Sequence, residues 1–139
     1  MVVDDEPALA DYIAKVLAPC GYDIRGAYGG EKAVSIAKGF RPDCIVTGIM
    51  MPRMDGIQEA IAILQFLPSC KFVFVSGNSH SPSIREAYAR LGWDFRLLLP
   101  KPFERSELLN AIALAGFPCA GMQGSNTVRP KTWDDSSAE

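Results

Sequence analysis

The chain has 139 residues, of which 48% are hydrophobic and 22% are charged, and its net charge is −2. This length suits one compact domain and excludes a large multidomain enzyme. The hydrophobic content is enough for a buried core and too high for a generally disordered chain. The balanced charge predicts no attraction to nucleic acid or to an anionic membrane. No apolar run approaches the roughly 20 residues that a membrane-spanning helix needs, which favours a cytoplasmic protein.

Five β-like segments alternate with five helix-like segments along the chain. The predicted strands are residues 1–4, 22–25, 43–47, 71–76 and 95–99. The predicted helices begin at residues 7, 30, 55, 82 and 105 and end near residues 18, 38, 67, 91 and 115. This alternation indicates βαβ units and a parallel sheet. Three of the strands are nearly continuous apolar runs, as expected where helices cover both faces of a sheet.

Local signals support two of the helix starts. Pro7 occupies a first helical position, where its missing N–H costs nothing. Asp55 is predicted to cap the third helix, with Gln58 reaching back to the cap residue. The predicted apolar stripe of that helix consists of Ile57, Ile61, Leu64 and Leu67.

The composition changes after residue 116, where glycine, serine and proline become frequent and apolar residues become rare. Such a stretch cannot bury enough surface to form a core of its own. We therefore expect a domain over residues 1–116 and a flexible tail or linker over residues 117–139.

Cysteine and histidine are too scattered for a zinc site. Cys20, Cys44, Cys70 and Cys119 form no C-x-x-C pair, and His80 is the only histidine. The first three cysteines are interpreted as apolar filler in hydrophobic segments. A serine or cysteine hydrolase is disfavoured because His80 would be the only available base.

Polar side chains follow several predicted strands at their carboxyl ends. Asp4 and Asp5 follow the first strand, Thr47 ends the third, Ser76 ends the fourth and Lys101 follows the fifth. In an open parallel sheet these ends meet at one edge, where functional groups gather. Adjacent carboxylates can hold Mg²⁺, and a hydroxyl with an ammonium suits a phosphoryl oxygen. The sequence therefore predicts one shared polar pocket.

Four motifs occur in order along the chain: Val2-Val3-Asp4-Asp5-Glu6, Met51-Pro52-Arg53-Met54-Asp55-Gly56, Ser76-Gly77 and Lys101-Pro102-Phe103. Their order and spacing resemble those of the response-regulator receiver domain of two-component signalling, over residues 1–116. The resemblance implies an α/β fold, flavodoxin-like, with a doubly wound five-stranded parallel sheet of order 2-1-3-4-5. It also implies a cis peptide bond between Lys101 and Pro102.

The resemblance implies a role for each matching residue. Asp4 and Asp5 correspond to the metal-binding acids, and the backbone carbonyl of Met50 corresponds to a further metal ligand. Ser76 corresponds to the switch hydroxyl, and Lys101 to the cation that contacts the phosphoryl group.

Two positions depart from the family pattern. Gly48 stands where the family has the phosphate-accepting aspartate, so no acyl phosphate can form there. Leu98 stands where the family usually has a tyrosine or phenylalanine that moves with the switch hydroxyl. With one carboxylate fewer, we expect only weak Mg²⁺ binding. We also expect Lys101 to pair directly with Asp4 or Asp5.

The sequence therefore predicts a receiver-like module, not an enzyme, that is not phosphorylated at residue 48 and acts by protein contact. The expected partner is a histidine kinase, an output domain or another signalling protein, bound through the surface from about Pro82 to Ala115. Two alternatives stay open. One is a Mg²⁺-dependent phosphohydrolase with Asp4 as nucleophile, and the other is an ordinary receiver whose acceptor was changed to Gly48.

Overall fold

The computed structural model describes residues 1–119, which form one parallel sheet covered by helices on both faces. Its strands are β1 (Val2–Val3), β2 (Gly26–Ala27), β3 (Cys44–Gly48), β4 (Lys71–Ser76) and β5 (Leu98–Pro100). All neighbouring strands pair in parallel, in the order β2-β1-β3-β4-β5. This confirms the predicted topology.

Five helices connect and flank the strands. They are α1 (Pro7–Leu17), α2 (Gly30–Phe40), α3 (Gly56–Leu64), α4 (Pro82–Leu91) and α5 (Arg105–Leu114). Pro7 begins α1 as predicted. Asp55 caps α3 reciprocally, because its carboxylate accepts from the amide of Gln58 and the Gln58 side chain accepts from the amide of Asp55. The predicted helix starts are thus confirmed to within one residue.

The core consists of two apolar clusters, one on each face of the sheet. On one face, side chains of α2, α3 and α4 pack against the sheet; its largest members include Ile45, Ile63, Phe72, Phe74 and Tyr88. On the other face, α1 and α5 cover the sheet; members include Ile13, Val46, Val73, Val75 and Leu108. Alternate residues of β3 and β4 therefore enter opposite clusters, as strand geometry requires.

The second strand was predicted too early in the chain. Residues 22–25 were expected to form it, whereas β2 is Gly26–Ala27, which pairs with Val2 and Val3 of β1. The amide of Val2 donates to the carbonyl of Arg25 at 2.8 Å, which is the first backbone contact of this ladder. In this register Val2 lies opposite Gly26 and Val3 opposite Ala27, so the paired residues come after the predicted range.

The fifth strand is also displaced. Residues 95–99 were predicted as a strand, but Phe95–Leu97 form one turn of 3₁₀ helix and β5 starts at Leu98. The turn is capped by Asp94, whose carboxylate accepts from the amide of Arg96 at 2.9 Å. A local side-chain cap therefore competes successfully with strand propensity in this segment.

The buried face of α3 differs from the predicted stripe. Ile61 is 43% exposed, while Glu59, Ala60 and Ile63 are completely buried. The helix begins in close contact with the sheet: a Cβ atom on Gly56 would overlap the Gly48 carbonyl oxygen. This close approach fixes the rotation of α3 and turns Glu59 toward the core.

The segment that follows α5 lies against the domain. Phe117 packs beside the cluster under α1 and α5, and Cys119 forms a disulfide with Cys20. The interpretation of Cys20 as a free apolar thiol is therefore wrong. The predicted boundary after residue 116 remains a prediction, and residues 120–139 of the predicted tail lie outside the described part of the chain. Within residues 1–119, no helix is long and apolar enough to cross a membrane.

Candidate functional site

The predicted pocket lies at the carboxyl edge of the sheet, where the central strands end side by side. Asp4 follows β1, Gly48 ends β3, Ser76 ends β4 and Lys101 follows β5. Since β1 pairs with β3, β3 with β4 and β4 with β5, the topology brings these four positions together.

Asp4 is the central acid of the site. Its side chain is nearly fully buried, and its Oδ1 accepts a hydrogen bond from the amide of Glu6 at 2.9 Å. Its Oδ2 lies 3.8 Å from Nζ of Lys101. The predicted direct pairing of Lys101 is therefore confirmed, with Asp4 as the partner.

The carboxylate charge of Asp4 is buried and is only partly compensated by neighbouring groups. Burial raises the pKa of the Asp4 carboxyl above its ordinary value, while the Glu6 amide and the Lys101 ammonium act in the opposite direction. The ion pair at 3.8 Å is longer than a charge-assisted hydrogen bond. Lys101 therefore offsets only part of the cost of burying Asp4.

Gly48 leaves space that Asp4 occupies. A Cβ atom built on Gly48 would lie 2.7 Å from Oδ2 and 3.4 Å from Cγ of Asp4. The first distance is below any normal contact of a Cβ atom, so a side chain at residue 48 requires Asp4 to move. The carboxylate of Asp4 thus stands directly beside the position from which an acceptor side chain would extend.

Ser76 lies next to this cluster, but its hydroxyl is engaged locally. Its Oγ accepts from the amide of Asn78 at 3.0 Å, and its carbonyl accepts from the amide of Lys101 at 2.9 Å. These contacts hold the ends of β4 and β5 together. The peptide bond between Lys101 and Pro102 is cis, as the resemblance implied.

Asp5 and Met50 are placed differently from Asp4. Asp5 is exposed and lines a groove of about 390 Å³ beside Tyr28 and Arg53. The side chain of Met50 is 68% exposed in the connection between β3 and α3. The structure therefore brings Asp4, but not Asp5, into contact with Lys101.

Thr47 does not line the pocket but forms a buried polar pair with Glu59. Both side chains are completely buried, and the Thr47 hydroxyl lies 2.8 Å from Oε1 of Glu59 and 3.0 Å from the Gly48 carbonyl oxygen. Burial raises the pKa of Glu59 to about 8. This pair was not predicted from the sequence. The available signal was the position of Glu59 in α3 between Gly56 and Ile63, which are both buried.

The side chains present do not fit a three-carboxylate magnesium site. Gly48 supplies no oxygen, and both oxygens of Asp4 already have partners. Within residues 1–119, no group of three histidine, cysteine, aspartate or glutamate side chains could hold a metal ion. A hard cation needs several oxygen ligands, so we derive no step through bound Mg²⁺.

An aromatic cluster joins α4 to β4 and to the segment between α4 and β5. Tyr88 is completely buried; its ring lies 5.7 Å from Phe74, 5.5 Å from Trp93 and 5.4 Å from Phe95, between centroids. Its hydroxyl donates to the carbonyl of Leu97 at 3.3 Å. Leu98, at the position where the family usually has an aromatic switch residue, is buried beside this cluster.

Comparison with known proteins agrees with this geometry. Residues 1–113 match the family model described as response regulator receiver domain. The chain is 32% identical over 114 residues to protein CcdB of Bacillus subtilis, covering 81% of this chain and 92% of that protein. It is 28% identical over 113 residues to chemotaxis protein CheY of Thermotoga maritima, with the same coverages.

Solved structures show the same fold. Chemotaxis protein CheY4 of Vibrio cholerae superposes with a TM-score of 0.73 at 23% identity, covering 82% of this chain and 94% of that one. The family match spans most of the chain, and the sheet order and the cis peptide agree with it. The chain therefore belongs to the response regulator receiver domain family of two-component systems.

Proposed function

We propose that this receiver domain is not phosphorylated at residue 48 and signals through contacts with other proteins. The observation that supports the proposal is Gly48 at the end of β3, with Oδ2 of Asp4 in the adjacent space. An acyl phosphate needs a carboxylate nucleophile, and glycine has none. The Asp4–Lys101 pair then gives the pocket a constitutive arrangement.

Receiver domains generally bind Mg²⁺ at their phosphorylation site, and the family match carries that expectation to this chain. We propose that Asp4, Asp5 and the Met50 carbonyl, the ligands that the resemblance implies, bind Mg²⁺ only weakly. Lys101 competes for the same carboxylate of Asp4. We further propose that the domain is a signalling module rather than an enzyme.

Receiver domains interact with proteins such as kinases and output domains. We propose that residues 1–116 act in the cytoplasm through the surface from about Pro82 to Ala115. This surface carries the exposed apolar side chains of Leu91, Phe95 and Leu114. The Arg85 guanidinium lies 4.8 Å from the centroid of the Phe95 ring, so the surface presents an apolar area beside a cation. No nucleic-acid partner is proposed.

The two alternatives receive different support. An ordinary receiver altered only at residue 48 is compatible with the retained Ser76, Lys101 and cis peptide. A phosphohydrolase with Asp4 as nucleophile is not favoured, because that carboxylate is buried and both of its oxygens are engaged.

Incubation of the full chain with acetyl phosphate and Mg²⁺, followed by intact mass measurement, tests the proposal. We expect no phosphoryl adduct on the wild-type chain. The Gly48→Asp variant is the matched comparison: an adduct on this variant alone shows that the rest of the pocket is competent. An adduct on an acidic side chain of the wild-type pocket would overturn the proposal.

A further inference from the structure

The disulfide between Cys20 and Cys119 closes almost the whole domain into a ring. The two residues are 99 positions apart, and their Cα atoms are separated by 4.7 Å. Cys20 ends the single 3₁₀ turn that follows α1, and Cys119 lies beyond the end of α5. The bond therefore joins the segment after the last helix to the end of the first helix.

The disulfide lies at the edge of the sheet opposite to Asp4. Helices α1 and α5 each begin after the carboxyl end of a strand and run back along the sheet, so they end at the amino edge. A redox change at Cys20 and Cys119 therefore occurs far from the pocket described above.

Contacts other than the disulfide also hold this segment. The Tyr22 hydroxyl donates to the carbonyl of Phe117, and the amide of Phe117 donates to the carbonyl of Ile112 at 3.1 Å. The Phe117 side chain packs beside the cluster under α1 and α5. These contacts do not involve the sulfur atoms, and they favour the approach of Cys119 to Cys20 when the bond forms.

We propose that Cys20 and Cys119 form a reversible thiol–disulfide site that fixes where the chain leaves the domain after residue 119. The co-reactant is a low-molecular-weight disulfide such as glutathione disulfide. One thiolate attacks a sulfur of the donor and releases one glutathione thiolate. The second cysteine thiolate then attacks the mixed disulfide and releases the second glutathione thiolate. Overall, two protein thiols are oxidised to one disulfide, and one glutathione disulfide is reduced to two glutathione thiols.

Reversibility follows from the compartment proposed above. In the cytoplasm the glutathione pool keeps most thiols reduced, and disulfides that form there are usually transient or redox-sensing. Both sulfurs are also buried, with Cys20 2% and Cys119 4% exposed. Exchange therefore requires residues 117–119 to detach first, so the bond responds to sustained rather than brief changes of the thiol pool.

Cys44 and Cys70 provide an internal control, because both are free thiols in the same domain. Burial raises the pKa of Cys44 to about 11 and that of Cys70 to about 12, so neither is a ready nucleophile at neutral pH. Only the Cys20–Cys119 pair should change its thiol count across physiological glutathione ratios.

The first experiment equilibrates the full chain in buffers of graded glutathione to glutathione-disulfide ratio. After an acid quench, maleimide labelling under denaturing conditions and intact mass count the free thiols. We expect two free thiols in oxidising buffer and four in reducing buffer, with Cys70→Ser shifting both counts down by one. Four free thiols throughout the oxidising range, or glutathione adducts on Cys44 or Cys70 instead, would overturn the proposal.

The second experiment tests the structural consequence. Amide hydrogen exchange reports on the segment after α5, because the amide of Phe117 donates to the carbonyl of Ile112. We expect exchange of the Phe117 amide to be at least about tenfold faster in the reduced chain and in Cys20→Ala, since the closed ring no longer holds the segment. Reduction should also lower the Tm by about 10 °C, because the ring constrains a long stretch of the unfolded chain. Equal exchange rates of the Phe117 amide in both redox states would show that the bond does not control the segment.

Discussion

Gly48 and Asp4 are neighbours in the pocket, and the Asp4 carboxylate limits the space for a side chain at residue 48. Alanine at residue 48 would bring its Cβ to 2.7 Å from Oδ2 of Asp4. We expect Gly48→Ala to lower the free energy of unfolding by about 1–3 kcal/mol, as other overpacked sites do. In an Asp4→Ala background the same change should be neutral or slightly stabilising, because glycine within a strand costs conformational entropy.

Urea unfolding of the wild type, the two single variants and the double variant gives the interaction energy between these positions. A coupling of about 1–3 kcal/mol would support direct contact between Asp4 and the space beside Gly48. Additive effects of the two substitutions would contradict it. The measurement does not depend on any phosphoryl chemistry.

Counting donors identifies the protonation state of Glu59. The Thr47 hydroxyl has a single proton but lies within hydrogen-bond distance of two oxygens, Oε1 of Glu59 and the Gly48 carbonyl. Both contacts are satisfied only if the carboxyl of Glu59 is protonated and donates to Thr47, which then donates to Gly48. Oε2 of Glu59 has no hydrogen-bond partner, which would be costly for a charged group. Geometry and the raised pKa therefore agree on a neutral acid.

Stability should consequently depend on pH through Glu59. Its folded-state pKa of about 8 lies above the ordinary value of 4.5, so the folded chain keeps a proton that the unfolded chain releases. The resulting stabilisation is complete below about pH 4.5, decreases as the pH rises, and is lost by about pH 8. The shift corresponds to at most about 5 kcal/mol.

Glu59→Gln is the matched variant, because its amide can donate to Thr47 without titrating. We expect the difference in unfolding free energy between this variant and the wild type to grow from pH 5 to about pH 8 in favour of the variant. Denaturant unfolding at several pH values measures it. A difference that stays constant over that range would mean that Glu59 is already ionised in the folded chain.

At the scale of elements, the start of α3 depends on the absence of a side chain at residue 56. A Cβ there would overlap the Gly48 carbonyl oxygen, which is backbone and cannot move aside without bending β3. We expect Gly56→Ala to destabilise the domain by more than about 2 kcal/mol. Gly39 in α2 is the control, since a Cβ there meets no atom within 4 Å.

Gly39→Ala should stabilise the domain by about 0.5–1 kcal/mol, because alanine favours the helix and reduces the entropy of the unfolded chain. Thermal and denaturant unfolding of both variants provide the comparison. If Gly56→Ala were as harmless as Gly39→Ala, the close contact between α3 and β3 would not constrain the fold.

Elements with strong local signals were predictable, and those determined by tertiary contacts were not. Helix α4 and strand β4 have the predicted bounds, because proline and apolar periodicity specify them locally. Strand β2 lies later in the chain than predicted, because pairing with β1 determines which residues form it. The exposure of Ile61 was not predictable for the same reason. The rotation of α3 is fixed by the close contact between Gly48 and Gly56, and the hydrophobic pattern of the sequence does not indicate this contact because glycine has no side chain.

The site was predictable to the extent that its residues follow strands. Asp4 and Lys101 come together because strand order alone places them at one edge. Thr47 was misplaced because its side chain faces α3 rather than the pocket. The Cys20–Cys119 bond joins residues 99 positions apart, and no spacing motif in the sequence indicates that contact.

At the scale of the whole domain, the proposed loss of phosphorylation implies that a phosphoryl signal would be interrupted at more than one step. Gly48 offers no acceptor carboxylate, and Leu98 stands where the family usually has a mobile aromatic residue. Tyr88 and its ring partners additionally pack α4 against β4 and against the segment that precedes β5. A domain built in this way should populate one arrangement of α4 and β5.

Beryllium fluoride with Mg²⁺ mimics a phosphoryl group bound to an aspartate, so it tests this expectation directly. We expect amide NMR chemical shifts of α4 and β5 to stay unchanged when it is added to the wild-type chain. Gly48→Asp should bind the mimic and shift resonances near residue 48, while resonances around Tyr88 and Leu98 change little, because the aromatic cluster still holds α4. Large chemical-shift changes at α4 in the wild type would mean that the domain retains a phosphoryl-driven switch. Large changes at α4 in Gly48→Asp alone would mean that the substitution at residue 48 is the only change that prevents switching, which would favour an ordinary receiver altered at that position.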